Sequence, residues 1–150
     1  MDQERLENDL GRENLTLAQL SKRARAFIVD ELLIAFVVVA AFWESISNAA
    51  SITESMMVVN SLFMVIIILK IAYQSIFTYM YGATLGKIWQ KIMVVEVGDF
   101  YKPSLPTAIT RSIVRVFSEW FMYLGFIWAY MNDSKQTWHD KVGKTIVIDV

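Results

Sequence analysis

The sequence predicts an all-α integral membrane protein with two transmembrane helices, a third re-entrant or hairpin membrane element, and a short cytoplasmic β-ribbon. Apolar residues make up 55% of the chain and charged residues only 19%, a more apolar balance than soluble domains usually have. Two apolar runs approach or exceed the ~20 residues that a helix needs to cross the hydrocarbon core. Two short β-branched runs lie outside these segments, and each predicts a strand.

The composition also excludes several classes of protein. A formal net charge of −1 is not that of a basic nucleic-acid binder. The chain has no cysteine, which rules out disulfides, thiolate metal sites and cysteine nucleophiles. For 150 residues we expect one domain. We also expect no enzymatic activity, no cofactor and no metal ion.

The first membrane helix is predicted over residues 27–46, around the apolar run FIVDELLIAFVVVAAFW. The polar residues 1–20 before it are typical of a solvated cytoplasmic tail, with a partner-docking segment as the alternative. Asn14 or Thr16 is the predicted N-cap of a juxtamembrane helix whose apolar positions are Leu17, Leu20, Ala24 and Phe27. A cleaved signal peptide is the alternative for the run itself. The long, partly acidic stretch before it and the two carboxylates within it disfavour cleavage.

The second membrane helix is predicted over residues 56–81, a run long enough to span that contains one ionisable residue, Lys70. Residues 82–102 are predicted to be a cytoplasmic amphipathic and strand segment. The third membrane element is assigned to residues 107–131. Its apolar block WFMYLGFIWAYM has only 12 residues, a length more typical of re-entrant or buried segments. Residues 132–150 are predicted to be a cytoplasmic tail.

The basic residues set the predicted orientation. Lysines and arginines precede the first run and follow the second and third, whereas the link over residues 44–55 contains Glu44 and Glu54 and no basic residue. The positive-inside rule therefore places both termini in the cytoplasm. Cytoplasmic termini require an even number of crossings, so the third element must dip into the membrane and return.

The two β-branched runs support this orientation. IMVVEV at residues 92–97 and TIVIDV at residues 145–150 each predict a short strand. Because an isolated strand leaves its backbone groups unpaired, we expect the two strands to pair with each other on one side of the membrane.

Three stretches taken together resemble the RDD family of small bacterial membrane proteins. They are RARAFIVD at residues 23–30, GATLGK at residues 82–87 and LGFIWAYMNDSKQTWHDKVGKT at residues 124–145. The arginine and the two aspartates that give the family its name correspond by position to Arg23, Asp30 and Asp140.

The chain departs from the family pattern at three positions. Lys91 and Lys144 stand where glycine is usual, and Glu96 stands where an aspartate is common. The resemblance implies a multi-pass protein of the bacterial cytoplasmic (inner) membrane. It gives only a thin indication of activity, because transport has been suggested for the family and some members resemble cation/proton antiporters.

Asp30 and Lys70 are the predicted centre of an ion site. On the second helix Lys70, Gln74 and Thr78 fall four residues apart and form one polar line. A charge at depth costs ~2.5–3.5 kcal/mol on insertion scales, so a partner for Asp30 is required, and Lys70 is the obvious cation. Either a structural ion pair or a proton- or cation-binding site fits this pattern. A third alternative is that the run is peripheral and does not span.

Glu31 is the third member of the predicted ion site. It is rotated by about 100° from Asp30 and faces either Arg115 or the headgroups. The remaining candidates are predicted to be gating or structural polar groups. Arg115 and Glu119 are four residues apart and are expected to satisfy each other. The other candidates in this group are Arg23, Gln74, His139 and Asp140.

Arg23 and Asp140 are candidates for an ion pair that closes the cytoplasmic side. Helical side chains lean toward the N-terminus, so Arg23 points away from Asp30 and needs another partner. Asp140 alternatively accepts hydrogen bonds at the start of the ribbon. The stretch GATLGK is one residue short of a phosphate-binding loop and lacks its hydroxyl. Its glycines are instead expected to let the chain bend off the second helix.

The predicted function is that of a secondary transporter in which Asp30, Glu31 and Lys70 handle protons and a monovalent cation, with Na⁺ or H⁺ as the expected ion. The alternative is an accessory or assembly protein that docks on a larger membrane complex. A single chain of this size can hardly enclose a polar pathway, so we also expect a homo-oligomer in the lipid bilayer. We expect no nucleic-acid partner.

Overall fold

The computed structural model describes residues 3–120, 131 and 135–150. Eight helices and two strands lie in these ranges. In chain order they are α1 Gln3–Arg12, α2 Leu20–Ala41, α3 Trp43–Ser47, α4 Ile52–Ser61, α5 Phe63–Tyr81, α6 Leu85–Trp89, β1 Ile92–Glu96, α7 Leu105–Trp120, α8 Trp138–Val142 and β2 Thr145–Asp149. Helix α5 packs along α7, and α2 packs against α6.

The helix bounds differ from the predicted ones at several ends. Helix α2 begins after Gln19 and ends at Ala41, so neither Asn14 nor Thr16 is its N-cap. The predicted second helix is divided at Leu62 into α4 and α5. Within the ranges given above, α5 is the one helix that is long and apolar enough to cross a membrane. Most of the apolar block at 120–131, in the predicted third element, lies outside the described residues.

The predicted β-ribbon is confirmed. Strands β1 and β2 pair antiparallel, with Ile92 opposite Asp149 and Glu96 opposite Thr145. The chain before α2 adds to the free edge of β2, where Ala18 N donates to Val147 O at 2.9 Å. The paired backbone groups explain why these two short β-branched runs are stable as strands.

The interpretation of residues 1–20 as a solvated tail is wrong. Leu6 and Leu10 on α1 are buried in one hydrophobic cluster with Val95, Ile146 and Ile148 of the two strands. Helix α1 carries these leucines four residues apart, so that both face the sheet. The apolar face of the ribbon is therefore covered by the N-terminal helix.

Helices α5 and α7 expose apolar side chains, and most of their buried residues are polar. On α5 the buried residues are Gln74, Ser75 and Thr78. On α7, Arg115 is 4% exposed whereas Phe117 is 60% exposed. This is the reverse of a protein that folds in water, where large apolar groups are buried and arginine is mostly exposed.

Two of the three departures from the family pattern fall on left-handed backbone. Lys91 has φ of 53° and Lys144 has φ of 48°, a region that non-glycine residues adopt at a cost. The third departure, Glu96, accepts a hydrogen bond from Ser104 N at 2.9 Å. This bond lowers the pKa of the Glu96 carboxyl and supports the chain as it enters α7.

We expect Lys91→Gly and Lys144→Gly each to stabilise the protein by about 1 kcal/mol, because glycine relieves the left-handed strain. The measurement is the free energy of unfolding in detergent micelles. Lys141→Gly is the control, because it removes an exposed lysine from helical backbone in α8 and should destabilise by about 1 kcal/mol. Destabilisation by all three variants would contradict the strain argument.

Candidate functional site

Asp30 lies at the junction of α2, α5 and α6 and is completely buried. Its Oδ1 accepts hydrogen bonds from the Tyr73 hydroxyl at 2.7 Å and from Gly86 N at 2.9 Å. Its Oδ2 accepts a hydrogen bond from the Thr84 hydroxyl at 2.6 Å. The carboxylate thus holds the first turn of α6 against α2.

Gly86 makes this contact geometrically possible. A Cβ atom at Gly86 would lie 2.2 Å from the backbone oxygen of Ala26 and 2.8 Å from Oδ1 of Asp30. Gly82, in turn, ends α5 with a left-handed φ of 69°. The prediction that the glycines of GATLGK turn the chain at the end of the second helix agrees with this geometry, and Gly86 has the additional role of a close backbone approach.

The predicted ion pair between Asp30 and Lys70 is wrong. The Lys70 ammonium lies instead between two other carboxylates, 2.7 Å from Glu31 Oε2 and 2.7 Å from Glu119 Oε2. The buried carboxylate of Asp30 needs hydrogen-bond partners, and neutral hydroxyl and amide groups provide them. The two carboxylates on Lys70 come from α2 and α7, so this ion pair joins three helices.

Arg115 extends this group of charges. Its Nε lies 3.4 Å from Glu119 Oε1, which agrees with the predicted pairing of these two residues. Its guanidinium stacks on the ring of Phe27, with 5.0 Å between the guanidinium carbon and the ring centroid. Glu31, Lys70, Glu119 and Arg115 therefore form a chain of alternating charges.

Asp140 is the centre of a second charged group at the sheet end of the helices. Its carboxylate pairs with Arg23 on α2 and, at 2.7 Å, with Nη2 of Arg111 on α7. It also accepts hydrogen bonds from the backbone and hydroxyl of Thr137, which form a capping box at the start of α8. Both predicted roles of Asp140, as partner of Arg23 and as hydrogen-bond acceptor beside the ribbon, are confirmed.

A known protein family matches most of the chain. The family model described as the RDD family matches residues 17–144. The chain belongs to the RDD family. No curated protein and no solved structure matches the chain. The RDD family is membrane-associated, which accounts for the apolar exterior of the long helices.

Arg23, Asp30 and Asp140, which correspond by resemblance to the residues of the family's name, all hold parts of the fold together. Arg23 and Asp140 pair with each other, and Asp30 fastens α6 to α2. The Asp140 carboxyl has a pKa that burial alone would raise, but the guanidinium groups of Arg23 and Arg111 hold it well below its ordinary value. Asp140 is therefore a stable anion between two cations.

His139 sits beside Asp140 and is also buried. Its Nε2 lies 3.0 Å from Thr137 Oγ1 and 3.7 Å from Asp140 Oδ1. Burial holds the pKa of His139 well below its ordinary value, and the nearby Arg111 adds to this lowering although Asp140 opposes it. The imidazole is therefore neutral in the folded protein at neutral pH.

This neutral histidine gives the protein a predictable pH dependence. Below pH ~6.5 His139 is protonated in the unfolded chain but stays neutral in the folded chain. The free energy of unfolding should therefore fall by about 2 kcal/mol from pH 6.5 to pH 5. His139→Gln should reduce the change in the free energy of unfolding between pH 5 and pH 6.5, because His139 is the only histidine in the chain. Parallel curves for the two proteins, measured by unfolding in micelles, would contradict the assignment.

Sequence reasoning missed several residues of this site. Arg111 is the second partner of Asp140, and Tyr73, Thr84 and Gly86 are the donors to Asp30. Arg111 could have been found from its spacing, because Arg111, Arg115 and Glu119 are four residues apart on α7. The donors to Asp30 carry no sequence signal, since two of them are hydroxyls and one is a backbone amide.

Proposed function

We propose that this RDD protein is a multi-pass protein of the bacterial inner membrane, with cytoplasmic termini, that exchanges protons for a monovalent cation. Its ion-handling site is the chain of alternating charges formed by Glu31, Lys70, Glu119 and Arg115, which we call the exchange cluster. The observation that carries this proposal is the convergence of Glu31 and Glu119 on one ammonium group, that of Lys70, inside three helices with apolar exteriors. Ionisable groups at such depth are expensive and usually functional.

The chemistry of the exchange cluster suits this exchange. Lys70 occupies the position between two carboxylates that a monovalent cation or a proton would otherwise fill. If the ammonium withdraws, the carboxylate oxygens that it contacted, Glu31 Oε2 and Glu119 Oε2, can coordinate a desolvated cation, and protonation of either carboxylate lowers the affinity for that cation. Competition among a proton, a metal cation and the tethered ammonium for one pair of carboxylates is the essential feature of antiport.

This assignment removes Asp30 from the predicted ion-binding residues, keeps Glu31 and Lys70, and adds Glu119, which was predicted to be a gating or structural group. Asp30 already accepts three hydrogen bonds, so a loss of activity in Asp30→Asn would not separate transport from folding. Arg23 and Asp140 keep the proposed role of closing the cytoplasmic side. Their pairing fastens α2 to the segment before β2.

The test is proton flux in sealed proteoliposomes under an imposed pH gradient, with sodium or potassium added. The wild-type protein should dissipate the gradient in a cation-dependent manner. Glu31→Gln and Glu119→Gln should each reduce this flux to the level of empty liposomes, because an amide cannot carry a proton. Glu44→Gln is the matched control, because Glu44 is exposed and lies outside the cluster, and its flux should equal that of the wild type.

The second candidate function is an accessory protein of a larger membrane complex. The saturation of Asp30 and Asp140 by contacts within the chain favours it, since these residues then serve only to hold the fold. Absence of flux from folded wild-type protein would support this function and reject the transporter. Crosslinking in membranes tests the expected homo-oligomer, which a purely monomeric product would exclude.

A further inference from the structure

The interior of the three long helices contains a column of mostly polar side chains that runs from the exchange cluster toward the sheet. Each helix contributes one residue per turn at three successive levels. From the sheet inward these are Arg23, Phe27 and Glu31 on α2, Thr78, Gln74 and Lys70 on α5, and Arg111, Arg115 and Glu119 on α7. The column spans eight residues of helix, or about 12 Å.

Contacts between the helices define the levels. At the sheet end, Arg23 and Arg111 both pair with Asp140. One turn further, Arg115 stacks on Phe27. At the inner end, Lys70 joins Glu31 and Glu119. Gln74 lies one turn from Lys70 on the same face of α5, and therefore at the level of Arg115.

Four buried polar atoms of the inner level, the middle level and Ser75, which follows Gln74 on α5, have no hydrogen-bond partner in the described part of the chain. They are Glu31 Oε1, Gln74 Nε2, Ser75 Oγ and Arg115 Nη2. Gln74, Ser75 and Arg115 are each at most 5% exposed. An unsatisfied buried polar group costs about 1–3 kcal/mol, so several in one place indicate a ligand that can both donate and accept hydrogen bonds.

We infer that these four atoms hold a cluster of bound water molecules that extends from Glu31 at the inner level to Gln74 and Arg115 at the middle level. Water matches the chemistry, because it accepts from the amide and the guanidinium and donates to the carboxylate, and buried waters typically make about three such bonds. The role of this water cluster as an access route to the exchange cluster rests on the proposed function. The presence of the water is tested without any flux measurement.

The absence of cysteine from the chain allows a direct test. Single variants Ser75→Cys and Ile76→Cys are treated in liposomes with methyl methanethiosulfonate, a small neutral reagent that reaches both water and lipid. The cysteine thiolate attacks the reagent, forms a methyl disulfide and expels methanesulfinate. Because only a hydrated thiol ionises to the reactive thiolate, the reaction reports water at the side chain.

The two positions are adjacent but opposite in burial. Ser75 is 5% exposed and Ile76 is 51% exposed, so accessibility to a reagent dissolved in water alone would favour Ile76. The inference predicts the reverse order, with Ser75→Cys modified roughly tenfold faster or more than Ile76→Cys, which lies in lipid. Modification is quantified by mass spectrometry of the intact protein.

A second measurement covers the case in which the reagent cannot fit beside Ser75. Infrared spectra of the wild type in ¹⁶O- and ¹⁸O-water should contain an internal-water O–H band, which Gln74→Leu abolishes. Either the predicted order of modification or a band that Gln74→Leu abolishes supports the inference. Failure of the predicted order together with the absence of such a band would overturn it. If the water cluster is present but the protein shows no cation-dependent proton flux, the transporter proposal is rejected and the inference of bound water is retained.

Discussion

Asp140→Asn is expected to destabilise the protein by about 3–5 kcal/mol, the largest effect of any single change in charge. The substitution keeps the size of the side chain and much of the capping box, but it leaves Arg23 and Arg111 facing each other without a counter-charge. Their side chains are only 12% and 5% exposed, so water cannot replace the lost carboxylate. Removing one partner from a buried ion pair typically costs this much.

The control for this variant is Asp149→Asn. Asp149 pairs with Lys22 at 2.9 Å, but both side chains are about one-third exposed, so the expected cost is below ~1 kcal/mol. Both variants are measured by unfolding in micelles at pH 7. The stabilising contribution of Asp140 is present above pH ~4 and is lost as the pH falls through its lowered folded-state pKa. Equal, small losses in both variants would show that the Asp140 site is hydrated.

Gly86→Ala is expected to destabilise the protein by about 3 kcal/mol. The added methyl group would lie 2.2 Å from a backbone oxygen of α2, and backbone cannot rotate away as a side chain does. Helix α6 must therefore move off α2, which also breaks the hydrogen bond from Gly86 N to Asp30. Overpacking costs ~1–3 kcal/mol, to which the lost charged hydrogen bond adds.

Gly11→Ala is the matched control for Gly86→Ala. Gly11 is in α1, and nothing lies within 4 Å of the Cβ that alanine would add. Alanine should stabilise α1 there by up to ~1 kcal/mol, through its higher helix propensity. The two glycine variants should therefore have opposite signs in the same unfolding assay. Stabilisation by Gly86→Ala would contradict the close contact between α2 and α6.

Some parts of the site could be predicted because one physical rule determines them. Arg23 could not reach Asp30 on its own helix, so it needed an acid elsewhere, and Asp140 was the candidate. Arg115 and Glu119 are one turn apart on α7 and contact each other at 3.4 Å. In both cases the local geometry of a helix restricts the choice of partner.

The partner of Asp30 could not be predicted in the same way. A search for its counter-ion led to Lys70, whereas the true donors are Tyr73, Thr84 and Gly86. A backbone amide is present at every position except proline, so it leaves no mark in a sequence. Lys70 was then free to join Glu31 and Glu119, and that pairing depends on how α2 and α7 are rotated about their axes.

By itself, the sequence determined the features that follow from local pattern: an apolar helix over most of residues 56–81, a ribbon of two β-branched strands, and membership in the RDD family. Tertiary structure alone decided the docking of α1 on the ribbon and the identity of each buried partner. The reason is physical. Hydrophobicity and backbone preference act over a few neighbouring residues, whereas a buried charge is satisfied by whichever donor the packing of distant helices brings within about 3 Å.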